Sequence, residues 1–305
     1  MVRCRTSSLQ DAITITLFVL SAFTVQARRY RVNVRSCGLS QPVGKIINGN
    51  EIAKVQVPWL VKILMFPVGR NARFCGGSII TRNVVLTAAH CVYKRGQAAK
   101  EIRVFFNTTV GNKGPCIRVE RGVIHEKYLS AYKGYDIALL KLEQALPKFN
   151  SFVRPICLPR KYERTDEGPM LLAGYGTTNF KNKVPRHIMY YFTNALTEEK
   201  CDKALVKHWP SLRLSSSKVL CSWNPHQLAW MGDSGSPVTK ALPNGKSVQY
   251  GIVSFVTTGK KSRARTVHTR VSPFRLWINE HLRNIDEWEY IVTNIGGDAD
   301  GSCLR

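Results

Sequence analysis

Apolar residues recur along this 305-residue chain in short runs, not in long helical stripes. Ser78–Ile80, Asn83–Leu86, Ile102–Phe106 and Gln249–Val256 are rich in Val, Ile, Phe and Tyr, and clusters of Gly, Pro, Asn and Asp separate such runs at short intervals. Runs of that length bounded by turn formers predict strands. The expectation is a mostly β protein, a barrel or sandwich with little helix. In Pro273–Leu282 the pattern changes, and Phe274, Trp277, Ile278 and Leu282 fall at the spacing of one helix face. At the N-terminus, Arg3 and Arg5 precede an apolar run from about Ala12 to Phe23, and Val25-Gln26-Ala27 fits a small-residue cleavage site. This predicts a secretory leader over 1–27. The run is too short to span a bilayer and no later stretch is long enough, so the mature chain is expected to be soluble and extracellular.

Composition sharpens that picture. At 44% hydrophobic the chain has ample material for a core, and it shows no solenoid repeat and no low-complexity tract. Nine cysteines suit an oxidising compartment; Cys4 leaves with the leader and eight remain. The formal charge is +25, and residues 46–305 keep about +19 of it. Such a surface attracts polyanions, heparin-like glycans among them. The densest basic run, Lys260-Lys261-Ser262-Arg263-Ala264-Arg265, reads first as a solvated loop and second as a polyanion contact. No nucleic-acid motif accompanies it, so no nucleic-acid partner is expected. His125, His187, His208, His226, His268 and His281 lack metal-ligand spacing and read as surface or packing residues, with no metal or cofactor expected. Asn107-Thr108-Thr109 is a glycosylation sequon.

Three short motifs carry chemistry. Gly232-Asp233-Ser234-Gly235-Ser236-Pro237 places a serine between glycines in a segment that must turn sharply, which exposes its hydroxyl and aims backbone N–H groups at one point. Thr87-Ala88-Ala89-His90-Cys91 offers a base and Asp136-Ile137-Ala138-Leu139-Leu140 a buried acid. Nucleophile, base and acid are the three parts of nucleophilic acyl transfer. They occur in the order His, Asp, Ser, with gaps of 46 and 98 residues.

The motifs, their order and their spacing resemble the chymotrypsin/trypsin family of secreted serine proteases. The resemblance implies an all-β fold of two six-stranded antiparallel β-barrels with a C-terminal helix. Residues 46 to about 155 would form one half and about 165–284 the other, a protease domain over 46–284. It implies Ser234 as nucleophile, His90 as base, Asp136 as its orienting acid, and the N–H groups of Gly232 and Ser234 as oxyanion donors. Gly44-Lys45-Ile46-Ile47-Asn48-Gly49 resembles the family's activation site. Residues 28–45 would then be a propeptide cut after Lys45 by an activating protease, and the freed Ile46 amine would pair with Asp233. The resemblance also suggests the disulfides Cys75–Cys91, Cys201–Cys221 and Cys37–Cys157, which leaves Cys116 for Cys303. Residues 285–305 form an acidic, Gly-rich extension without an assigned role.

The chain departs from the family at the specificity pocket. Where trypsin-like relatives carry an aspartate, it has Leu228, followed by Ala229. A cationic substrate side chain would be desolvated without a partner there. Ser254 matches the family's serine beside the buried acid, and Val256 and Thr266 occupy the positions of two pocket-wall glycines. Those bulky residues would shorten the pocket and favour small aliphatic side chains, as in elastase-type members. Trp230 and Gly259 replace one family disulfide, Met170 and Lys240 another, and Ser236 replaces a common glycine. The function expected is a secreted serine endopeptidase acting on protein or peptide substrates. The alternative is a weakly active or inactive homologue serving as a basic secreted binding protein.

Overall fold

The computed structural model describes residues 30–40, 57–67, 69, 71–94, 96–109, 114–165, 168–177, 187–208, 214–257 and 264–288. The expected leader, the Lys45-Ile46 bond, Gly259, Lys260, Lys261, Arg263 and Cys303 lie outside these residues.

The four apolar runs named above overlap strands to within one residue at an end, and two barrels result. The first contains β1 (Leu60–Pro67), β2 (Arg73–Ile79), β3 (Val84–Thr87), β5 (Gln97–Phe105), β6 (Cys116–Ile124) and β7 (Ala138–Leu142). Their order is β1-β2-β3-β7-β6-β5, closed by pairing of β1 with β5; the two-residue β4 (Tyr93–Lys94) extends β5. The second barrel closes as β10-β13-β12-β11-β8-β9. Its strands are β8 (Gly168–Gly174), β9 (Met189–Ala195), β10 (Val219–Trp223), β11 (Pro237–Ala241), β12 (Ser247–Val256) and β13 (Thr266–Arg270). Every named pairing between strands is antiparallel, and closure leaves no long free edge on either sheet. The fold is therefore the expected pair of six-stranded barrels.

Burial explains why these residues make these strands. Ile63, Ile79, Leu86, Ile102, Leu139 and Leu140 are fully enclosed in the first barrel, each contributing about 1.5–3 kcal/mol of transfer free energy. β3 is buried at every residue and β7 at all but Lys141, so neither strand leaves a face to solvent. Trp277, Ile278 and Leu282 anchor α3 (Arg275–Arg283) against the core, as their spacing predicted, after a 3-10 turn at Ser272–Phe274. A second helix, α2 (Glu198–His208), was not anticipated from the sequence. It packs Cys201 and Leu205 onto Val219, Cys221 and Val267, the outer face of the second barrel.

Three of the expected disulfides are formed: Cys37–Cys157, Cys75–Cys91 and Cys201–Cys221. Cys116 is disulfide-bonded too, while Cys303, the partner suggested for it, lies outside the described residues. The segment before the barrels docks firmly. Tyr30 and Val32 are buried in the main core, and the Asn33 amide accepts the Leu158 N–H at 2.7 Å and donates to the Leu158 carbonyl at 2.9 Å. Among the described residues no helix is long and apolar enough to cross a membrane.

Candidate active site

The site forms where loops of the two barrels meet. His90 stands on the single helical turn α1 (Ala89–Val92) that follows β3, and the Cys75–Cys91 bridge ties that turn back to β2. Asp136 lies just before β7 and is fully buried. Its Oδ1 accepts the backbone N–H of His90 at 2.9 Å, and its Oδ2 lies 2.7 Å from His90 Nδ1. The second barrel completes the carboxylate's shell. Ser254, on β12, donates its hydroxyl to Asp136 Oδ2 at 2.5 Å, and Thr269, on β13, donates to the Asp136 carbonyl at 2.7 Å. Burial alone pushes this carboxyl up. The His90 charge and the hydrogen bonds from His90 and Ser254 outweigh that effect and hold it below its ordinary value. An acid kept ionised there fixes Nδ1 as the protonated nitrogen and leaves Nε2 as the lone pair.

Ser234 is held from the opposite side. Its carbonyl accepts the Gly76 N–H at 2.7 Å, next to the Cys75–Cys91 bridge, and Gly235 donates to the Val253 carbonyl at 2.8 Å. These bonds bring the Ser234 loop against the His90 turn. No hydrogen bond joins the Ser234 hydroxyl to the His90 ring in this resting arrangement; such bonds tighten when substrate binds. Among the described residues no acceptor takes the N–H of Gly232 or of Ser234, the two donors expected for an oxyanion.

Gly232 has φ +97°, and a Cβ there would lie 2.2 Å from the Phe74 ring. Only glycine fits. Gly232→Ala is expected to lower kcat about 10²–10³-fold through misplacement of the oxyanion donor, with KM little changed. Steady-state kinetics on one peptide substrate checks this, and a kcat within twofold of the parent would refute it.

Asp233 turns inward. It accepts the Gly176 N–H at 2.9 Å and the Trp230 N–H at 3.0 Å. A Cβ on Gly176 would fall 2.3 Å from its carboxyl carbon, so that glycine makes room for the acid. Among the described residues no cation lies within ion-pair distance, and burial pushes Asp233 up to about 6 against the pull of its two amide donors. A further buried charge adjoins the loop. Lys62, on β1, is 5% exposed, and its ammonium lies 4.5 Å from the centre of the Phe74 ring and 5.7 Å from that of Tyr175. Burial lowers its pKa.

The pocket residues named from the sequence divide. Ala229, Ser254 and Val256 line a cleft of about 190 Å³ that also touches Trp230, Val253 and Ser234. Leu228 and Thr266 do not line it; Thr266 is buried beside Val256, its direct partner across the β12–β13 ladder. Met231 stands 62% exposed at the rim. The sequon residue Asn107 is half-buried with φ 47°, and its neighbour Thr108 is buried.

Comparison with known proteins agrees with this geometry. The family model described as trypsin matches residues 46–278. Hypodermin-A of Hypoderma lineatum is 31% identical over 255 residues, covering 81% of this chain and 91% of its own. The clotting factor G beta subunit of Tachypleus tridentatus is 26% identical over 272 residues, 85% of this chain and 86% of its own. Chymotrypsin-like elastase family member 1 of Macaca fascicularis is 29% identical over 247 residues, 78% and 90% of the two chains. With its two barrels, the buried acid on His90 and the serine loop facing them, the chain belongs to the trypsin family of serine proteases.

Proposed function

We propose that the chain is a secreted serine endopeptidase, made as a precursor and activated by a cut after Lys45. It hydrolyses peptide bonds after small aliphatic residues and not after Arg or Lys. The observation that carries this reading is the buried Asp136 carboxylate fixed on His90 Nδ1, with the Ser234 loop bonded to Gly76 beside the Cys75–Cys91 bridge that ties down the His90 turn.

The roles follow from the groups. Ser234 Oγ attacks the substrate carbonyl carbon as its proton passes to His90 Nε2. The carbonyl oxygen takes the negative charge and moves between the N–H groups of Gly232 and Ser234. His90 returns the proton to the departing amine, the C–N bond breaks, and an acyl-enzyme remains on Ser234. Water then gives a proton to His90 and attacks the ester; the proton returns to Ser234 Oγ as the acid product leaves. Asp136 stabilises the imidazolium formed in each half and does not itself take a proton.

Ala229 and the lack of any acid among the cleft's described lining residues support the exclusion of Arg and Lys, and Val253, Val256 and Trp230 make the walls apolar. The expected leader and the disulfide set support export. Cys37–Cys157 would keep residues 28–45 attached after the cut. A fluorophosphonate probe tests the reading: Ser234 is expected to label rapidly only after cleavage at Lys45. Failure of the cut chain to label would sink it.

Activation should also change how stability depends on pH. Asp233 has a folded pKa raised above its ordinary value of 3.8, to about 6. In the uncut chain its contribution is therefore full below about pH 4 and is lost as pH rises through about 6, a loss on the order of 3 kcal/mol. The Ile46 ammonium released by the cut would pair with the ionised carboxylate and remove that loss. Thermal melts of the Ser234→Ala protein, cut and uncut, check this. The cut form is expected to gain several degrees at pH 7.5 and little at pH 4. An equal difference at both pH values would refute the pairing.

A further inference from the structure

The chain leaves the described residues at a fixed point. Trp288, the last of them, is 5% exposed, and its indole N–H donates to the His281 carbonyl at 2.9 Å. With Gly122, Val123 and Ile124, the end of β6, it lines a cleft of about 510 Å³. Asp286 ties the same turn down. Its carboxylate accepts from Lys141 on β7 at 2.9 Å, and its carbonyl accepts from Arg121 on β6 at 2.5 Å. Residues 289–305 therefore set out from the Ile124 end of β6.

A second fixed point stands at the other end of that strand. Cys116 opens β6 and is disulfide-bonded. The chain holds nine cysteines, and six of them pair among themselves as Cys37–Cys157, Cys75–Cys91 and Cys201–Cys221. The partner of Cys116 is therefore Cys4 or Cys303. Cys4 belongs to the leader expected to be removed. Cys303 has the reach: β6 is about 26 Å long from Ile124 to Cys116, and the chain from Trp288 to Cys303 extends to about 50 Å.

The surface between these points carries a surplus of positive charge. Arg103 on β5 and Arg118 on β6 face each other directly across the ladder, and both lie on Glu101, at 2.6 and 3.5 Å. Arg121 and Lys141 form another such pair, and both lie on Glu120. Like charges directly opposite cost stability. The segment after Trp288 has the complementary charge, with Glu289, Asp298 and Asp300 against Arg305. Asp300 stands just before Cys303 and Arg118 just after Cys116, so a bridge between the cysteines brings acid to arginine. The earlier part of the segment, Tyr290-Ile291-Val292-Thr293-Asn294-Ile295, is rich in the β-branched and aromatic residues that pack on a sheet.

We propose that residues 289–303 are a strap, closed by a disulfide between Cys116 and Cys303, that lies along β6 with Asp298 and Asp300 over Arg103 and Arg118. The bridge forms by thiol–disulfide exchange. Both thiols lose their protons, the S–S bond forms, and two electrons pass to an oxidised disulfide of the export compartment, which leaves as two thiols. The strap offsets the charge of the arginine pair and pins the C-terminal extension to the first barrel.

The test uses the full chain carrying Ser234→Ala, purified without reductant and with free thiols alkylated. Mass spectrometry of its unreduced proteolytic peptides is expected to find Cys116 joined to Cys303. Cys116 joined to Cys4, or either Cys116 or Cys303 recovered alkylated, would overturn the bridge. Hydrogen exchange then tests the docking. Amides of residues 290–302 are expected to exchange about 10-fold more slowly than in the same chain with Cys303→Ser. Equal exchange in the two would overturn the strap. With Asp298→Asn and Asp300→Asn together, the bridge is expected to persist and exchange over 297–302 to rise about threefold or more. No rise would overturn the placement over the arginines. Fluorophosphonate labelling of Ser234 in the unsubstituted, cut chain reads the protease proposal separately, so either can fail alone.

Discussion

Replacing Ser234 by alanine is expected to lower turnover by about 10⁶-fold and leave the melting temperature almost unchanged. The two halves of that expectation have separate causes. The Ser234 hydroxyl makes no hydrogen bond to His90 at rest, and its loop is held by main-chain bonds to Gly76 and Val253. Removing the hydroxyl therefore takes away the bond-forming atom without disturbing the scaffold. His90→Ala should cost about as much, and the double variant little more than either, because the two act as one unit. Kinetics and thermal melts of the three variants check this. Additive losses would mean that Ser234 and His90 do not share a step.

Asp136→Asn is expected to cost about 10⁴-fold in turnover with substrate binding retained. The carboxylate takes the His90 main-chain N–H on one oxygen and both the Nδ1–H and the Ser254 hydroxyl on the other. An asparagine has one acceptor oxygen and one NH₂ group in that space. With its oxygen facing the main chain, the NH₂ faces Nδ1, which must then be the lone pair. The proton moves to Nε2, and the ring can no longer accept from Ser234. The defect should appear in kcat and in the rate of fluorophosphonate labelling alike. A loss confined to KM would contradict the assigned role.

Much of this was legible in the sequence because the proposed chemistry resides in three short motifs. The strands were legible because their apolar runs are brief and bounded by turn formers. The helix Glu198–His208 was not, since among its residues with described burial only Cys201 and Leu205 are buried, and one of those is a disulfide half. Two residues do not make a helical stripe visible. Lys62 was missed for a related reason: a lysine in a strand reads as solvent-facing, and only the fold brings the Phe74 and Tyr175 rings over it. Thr266 was named for the pocket wall but lies one strand over from it, paired with the lining residue Val256. His268, Ser222 and Tyr191 could not be placed beside it from the sequence. Their meeting depends on the register of strands far apart in the chain, with Ser222 and His268 46 residues apart.

The central claim is that this cleft cuts peptide bonds through Ser234, and cleavage of a random peptide library tests it most directly. Protein cut after Lys45 is compared with the same protein carrying Ser234→Ala. The account predicts cuts after small aliphatic residues that the control does not make. Cuts after Arg or Lys would contradict the pocket. No cuts at all, from a folded chain with Ile46 freed, would contradict the enzyme and leave a basic binding protein on a protease fold.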